Sequence, residues 1–291
     1  MLGFIQKVPG MTMSSDRAFE SHLEFPKDAF VSMALCILIV CIKNLVVMPA
    51  ADIFLDMFDQ HSRLSCGEKR KFRVSFWKAV FYTFTTFYGY AVIQNESWVP
   101  SAKGMMDPVG AGNLPFRVML YYHIEFAYYF VELFYLFNEH MYKDFLQMVA
   151  HHLVTLLLLG MSYCTDMVRC GIAIMAVHDI SDPFLEVGKL LSYTQSSTLA
   201  TIVFICFTVI FIASRLGVYA CLVAAPIGIY VWNHEFRFTL RVMAVMVQAL
   251  VLMHIVWSCM ILKMAMRISR STGIKDCRDT STASMQSAKC K

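Results

Sequence analysis

The chain has 291 residues and a formal net charge of +4, with 58% hydrophobic and only 16% charged residues, where soluble domains carry about a quarter charged. Its mean hydropathy is +0.56. Such a composition excludes a water-soluble globular protein, a disordered chain and a collagen-like fibre, and the alternating ten-residue strands of a membrane barrel are absent. The small positive balance is typical of loops flanking membrane helices and gives no ground for a nucleic-acid partner.

Residues 1–27 carry Pro9, Gly10, Asp16, Arg17 and Glu20 without a long apolar run, which reads as a polar leader and not a cleavable signal. Apolar blocks of about the 20 residues that cross a bilayer then predict seven spans, near residues 29–48, 74–93, 116–137, 145–163, 168–190, 197–222 and 238–263. Residues 28–68 are read as the first helix and its loop, 69–267 as the main domain, and 268–291 as a disordered polar tail. Basic residues cluster between the first two spans (Arg63, Lys69, Arg70, Lys71, Arg73) and in the tail (Arg267, Arg270, Lys275). The positive-inside rule makes both cytosolic, which seven spans allow and six do not, and puts the N-terminus across the membrane. Asn95-Glu96-Ser97 is then a sequon on the far side.

The fifth span is too polar to face lipid, since it contains His178, Asp179, Asp182, Glu186 and Lys189. His178, Asp182 and Glu186 are spaced four apart, on one helix face, and Pro183 predicts a kink or break there. The fourth span brings His151 and His152, with Thr155 one turn on and able to orient either ring. The turn-like stretch Tyr163 to Asp166 lies midway between the two histidine sites, so both fall at one depth, roughly 20 Å from that turn and towards the cytosol. Glu125 and His123 on the third span, Arg215 on the sixth and His254 on the seventh add further polar groups. A network that merely ties helices together accounts for single residues. Three histidines and two aspartates at one depth fit better a polar cavity for proton chemistry or a substrate, open to the cytosol. One adjacent histidine pair, without repeated HxxxH boxes and without CxxC, predicts no metal site.

Lys143-Asp144-Phe145, His151-His152, Arg169-Cys170-Gly171, His178-Asp179-Ile180-Ser181-Asp182 and Leu185-Glu186, with Arg70-Lys71-Phe72, Trp98 and Trp257 outside that run, resemble the Lag1 motif of ceramide synthases within a TLC domain. The resemblance runs from about residue 70 to 267 and implies an all-α integral membrane protein of the TLC type, in the endoplasmic reticulum. It implies an acyltransferase that takes a fatty acyl group from acyl-CoA to the amine of a sphingoid base, through an acyl-histidine, with acyl-CoA as co-substrate and no cofactor. By position His151 is then the acylated residue and His152 its neighbour. His178 is the base, Asp179 its orienter, and Asp182, Glu125, Arg215 and Trp257 line the substrate site. Homodimers or heterodimers are compatible with the resemblance. Asp166 stands where the family usually has asparagine, Pro183 where it has a non-proline residue, and no homeobox-like segment follows the first span. A TLC-domain protein that only binds, senses or moves lipid is the alternative.

Overall fold

The computed structural model describes residues 22–58, 63–94, 96, 102–110, 114–138, 144–194, 197–233 and 238–269. The sequon residues Asn95 and Ser97, the basic tail from residue 270, Lys143 and nearly all of the polar leader lie outside the described residues. Within them the chain is helical: α1 Lys27–Ile42, α2 Met48–Met57, α3 Cys66–Ile93, α4 Ala102–Met106, α5 Phe116–Asn138, α6 Phe145–Cys164, α7 Val168–Asp179, α8 Asp182–Tyr193, α9 Ser197–Ile212, α10 Ala225–Asn233 and α11 Phe238–Ser269. Wider π-type turns, Lys43–Val47 and Ala213–Ala224, join α1 to α2 and α9 to α10. In each case a proline opens the following helix, Pro49 and Pro226. A proline has no N–H for the preceding turn and its ring crowds that turn's carbonyl, so local widening has an identifiable cause.

Four helices among the described residues are long and apolar enough to cross a bilayer: Lys27–Met57, Phe145–Cys164, Ser197–Asn233 and Phe238–Ile268. The protein is therefore a multi-pass membrane protein. The expected spans at 74–93, 116–137 and 168–190 are present as α3, α5 and the α7–α8 pair, but they fall short of that measure. The break leaves α7 and α8 with 12 residues each. Helix α3 packs on α5, α7 and α8, and α5 packs on α1 and α6, so one face of each meets other helices and can carry charge and tyrosine, while Phe84, Phe87, Phe130 and Phe134 point outward. Helix α3 starts at a capping box, with Glu68 N–H donating to Ser65 Oγ and Ser65 N–H to the Glu68 carboxylate.

Glu132 of α5 is buried and gathers three donors: Lys43 Nζ at 3.1 Å, Trp77 Nε1 at 3.0 Å and Lys78 Nζ at 3.4 Å. Lys43 also lies 3.4 Å from the centre of the Tyr135 ring. This network ties the first helix to α3 and α5. The α6–α7 turn falls at Thr165–Met167, where the sequence placed it. Asp166 there adopts φ 56°, a left-handed conformation that Asp and Asn tolerate. Its carboxylate accepts from the N–H groups of Val109 and Gly110, at 3.0 and 2.8 Å, and lies 2.6 Å from His22 Nε2. The acidic residue at this position thus pins three chain segments together.

Between α7 and α8 the helix breaks at Ile180–Ser181, as Pro183 predicts. Pro183 cannot donate to the carbonyl of Asp179, four residues before it. The Thr86 hydroxyl donates to that carbonyl instead, at 3.0 Å. Arg215, on the second π-type segment, donates to the His178 carbonyl at 2.5 Å, to Ser181 Oγ at 3.2 Å and to Asp182 Oδ1 at 2.9 Å.

Glu132→Ala removes the carboxylate that pairs with buried Lys43 and half-buried Lys78 and is expected to cost about 3–5 kcal/mol. Thermal unfolding in detergent measures this, and an unchanged melting temperature contradicts the network's role. Thr86→Val keeps the shape but orphans the Asp179 carbonyl, at about 1–3 kcal/mol. The expected outcome is faster amide exchange in residues 179–185 by mass spectrometry, and exchange equal to that of the unmodified protein refutes it.

Candidate functional site

His151 and His152 are buried in the second turn of α6 with rings 5.8 Å apart at 89°, as adjacent positions on a helix require. His152 Nδ1 lies 2.8 Å from the Met148 carbonyl, one turn back. A carbonyl only accepts, so Nδ1 carries the proton and Nε2 is the free base. His151 Nδ1 has no hydrogen-bond partner. Its ring stands edge-on to Trp257, 5.3 Å between centres, and to Tyr129 at 6.2 Å. Thr155 bonds neither imidazole, contrary to the sequence expectation. It lies a turn further along α6, against a second cavity.

His178 and Asp179 end α7, both buried. His178 Nδ1 lies 2.7 Å from the Ile174 carbonyl, and its Nε2 lies 3.2 Å from His254 Nε2. Asp179 accepts from the Tyr121 hydroxyl at 3.1 Å, and Thr85 and Glu125 border the same carboxyl. Glu125 is buried with one carboxyl oxygen unpartnered. Past the break, Asp182 is held by Arg215 and by the Ser181 hydroxyl at 3.0 Å. Glu186 pairs with Lys189 at 2.7 Å and keeps its other oxygen unbonded.

Two cavities meet among these groups. The larger, about 1850 Å³, is lined by His151, His152, Asp182, Glu186, Arg215 and Trp257, with Lys71, Lys78 and Lys189 also on its wall. The smaller, about 760 Å³, has Glu125, Thr155, His178 and Asp179 among its lining and an otherwise apolar wall that includes Leu158, Ile174, Met243 and Val247. Tyr129 lines both, with its ring 5.5 Å from that of His152. The eight residues singled out in the sequence therefore gather in one region, but they divide between two chambers instead of sharing one wall. Among the described residues no three His, Cys, Asp or Glu side chains are placed to hold a metal ion.

Sequence reasoning missed Tyr129, Thr86 and Tyr121. Tyr129 had a signal, since it lies four residues beyond Glu125 and so on the same face of α5. Thr86 had none, because a threonine in an apolar helix is unremarkable until the proline opposite it removes a donor.

A family model described as the TLC domain matches residues 71–263. Among curated proteins, the ceramide synthase hyl-1 of Caenorhabditis elegans is 30% identical over 230 residues, covering 75% of this chain and 62% of that protein. Ceramide synthase 5 of Homo sapiens is 30% identical over 206 residues, 68% of this chain and 50% of that protein. Ceramide synthase LOH2 of Arabidopsis thaliana is 28% identical over 210 residues, 70% of this chain and 71% of that protein. The chain thus spans about three fifths of the first relative and half of the second. With a TLC domain over most of its length and ceramide synthases as its relatives, the chain belongs to the TLC-domain family.

Proposed function

We propose that the protein is a ceramide synthase, which moves a fatty acyl group from acyl-CoA to the amine of a sphingoid base in the endoplasmic reticulum membrane. The relatives named above support this reading. So does one structural observation: of two adjacent buried imidazoles on the wall of the larger chamber, His152 has its Nδ1 proton fixed by the Met148 carbonyl, whereas the Nδ1 of His151 is unbonded. An imidazole with a free nitrogen can act as a nucleophile.

In this reading His151 attacks the thioester carbonyl. The C–S bond breaks, the CoA thiolate leaves and takes up a proton from water, and the acyl group stays on the ring as an acyl-imidazolium. The amine of the sphingoid base then attacks the acyl-imidazole carbonyl. The C–N bond to imidazole breaks, the amide forms and the amine proton passes to a base. His178 supplies that base, with Asp179 fixing its surroundings, since a neutral imidazole offers a lone pair for the proton. Glu125 and Asp182 attract the ammonium of the incoming base. Arg215 holds the broken helix in place, and Trp257 backs the His151 ring. No metal or organic cofactor is required by these steps. The larger chamber, with Lys71, Lys78 and Lys189 on its wall, suits the phosphates of CoA, and the smaller, mainly apolar one suits an alkyl chain.

The finer topology belongs to the same proposal. Helices α3, α5 and the α7–α8 pair complete seven spans, the larger chamber opens to the cytosol with the C-terminus, and the N-terminus lies in the lumen. Residues 69–267 form the catalytic unit, to which the first helix is clamped through Glu132. Assembly as homodimers or heterodimers remains compatible with it.

The test is to assay purified protein with labelled acyl-CoA and sphinganine. The unmodified chain is expected to form dihydroceramide, and His151→Ala and His178→Ala to lose about 10²-fold or more at unchanged melting temperature. Folded, unmodified protein that binds lipid but makes no amide would refute acyl transfer and favour a lipid-binding role.

A further inference from the structure

The smaller chamber follows α7, whose residues line it from Met167, at the α6–α7 turn, to His178 and Asp179 at the tip. His178 lies 11 positions after Met167, which at 1.5 Å per residue makes the chamber roughly 16 Å deep. Its two ends differ in chemistry. Glu125, His178 and Asp179 are the ionisable groups at the tip, whereas the turn end carries methionines: Met167 from the turn itself, Met243 from α11 and Met106 from α4. The Thr165 hydroxyl lies 3.7 Å from the Met243 sulfur, which fixes that side chain at the turn.

Met106 is the last residue of α4, a helix that packs on α7 and α10. The chain leaving α4 is tied to the same turn. Asp166, one residue before Met167, accepts from the N–H groups of Val109 and Gly110 at 3.0 and 2.8 Å. A carboxylate only accepts, so His22 Nε2, 2.6 Å away, donates a third hydrogen bond to it. Asp166 is 3% exposed, and hydrogen bonds to an ionised acceptor are roughly twice as strong as neutral ones. Pro108 stiffens the short link between Met106 and the two bonded N–H groups. Met106 therefore cannot be pushed outward without straining this clasp.

We propose that Met106 is the floor of the smaller chamber and sets the longest alkyl chain it accepts, and that Asp166 is a positioning residue that holds Met106 there. The inference rests on the ceramide synthase reading and deepens it. A chain that enters beside His178 and extends along α7 ends against the methionines. Each further methylene must displace Met106 and loosen the bonds of Asp166, so longer chains are disfavoured by packing and not by the chemistry at the tip. The chain is unbranched and saturated near its end, and it belongs either to the acyl group or to the sphingoid base.

Met106→Ala shortens the floor residue and leaves the clasp in place. Asp166→Asn keeps a residue that tolerates the left-handed conformation but replaces one acceptor by an N–H group, so the link after α4 is loosened while Met106 is retained. The purified full chain is assayed in two series, with the melting temperature recorded beside kcat/KM. One series runs saturated acyl-CoAs from lauroyl to lignoceroyl against sphinganine, and the other runs sphinganine homologues of increasing length against palmitoyl-CoA. With Met106→Ala, kcat/KM for a chain about two carbons beyond the unmodified protein's preferred length is expected to rise about tenfold relative to the preferred chain. Asp166→Asn is expected to shift the preference in the same direction by a smaller factor. A shift in the acyl-CoA series assigns the chamber to the acyl chain and a shift in the sphinganine series assigns it to the base, and either sustains the inference. Folded variants that keep the unmodified length profile in both series, or lose activity evenly across all lengths, overturn it while leaving acyl transfer intact. Unmodified protein that makes no amide overturns acyl transfer itself and this inference with it.

Discussion

Pro183 removes one backbone donor from the middle of a membrane helix, and the polar chambers depend on how the freed carbonyls are bonded. In hydrocarbon an unbonded carbonyl is costly, and no water is present to satisfy it. Here the replacements come from two different helices: the Thr86 hydroxyl reaches the Asp179 carbonyl from α3, and the Arg215 guanidinium reaches the His178 carbonyl from the widened turn after α9. The break therefore does two things. It ends α7 with His178 and Asp179 at its tip, and it lets α8 leave with Asp182 and Glu186 on the wall of the larger chamber. A continuous helix would have placed all four along one stripe.

The same logic governs the buried charges. The two buried cations among the described residues are matched by groups from other helices: Arg215 by Asp182 and two neighbouring acceptors, and Lys43 by Glu132 and the face of Tyr135. Both sit on the π-type segments that precede a proline. Such segments give the side chain a direction that a regular helical turn does not, and they are frequent at functional sites. The first helix packs on α5 with Ile39 and Val47 in the core and this charge network beside them, while Phe30, Met33, Ile37 and Leu45 point outward, as on a lipid-facing surface.

Much of this was legible in the sequence. The apolar blocks marked where the main helices lie, Pro183 marked the break, and Tyr163 to Asp166 marked the turn. The inner faces of α3 and α5 carry polar groups and the α7–α8 span is broken in two, so hydropathy alone finds four crossing helices among the described residues. The histidine pair and the polar run after it were visible by residue type. Their division into two chambers was not, because it depends on Tyr129, a residue that periodicity places on the right face without saying that it separates them. The orientation of Thr155 away from both imidazoles, the borrowed hydroxyl of Thr86 and the pairing of His254 with His178 arise from contacts between helices far apart in the chain. No local pattern encodes them.

The central claim is that His151, with its free nitrogen, takes the acyl group before the amine arrives. The most direct measurement is to incubate purified protein with acyl-CoA alone and examine the peptide containing residues 145–164 by mass spectrometry. An acyl mass on His151 that disappears when sphinganine is added, as dihydroceramide forms, is the expected result. Full product formation with no acylated histidine at any time would contradict it and leave the imidazoles as bases only.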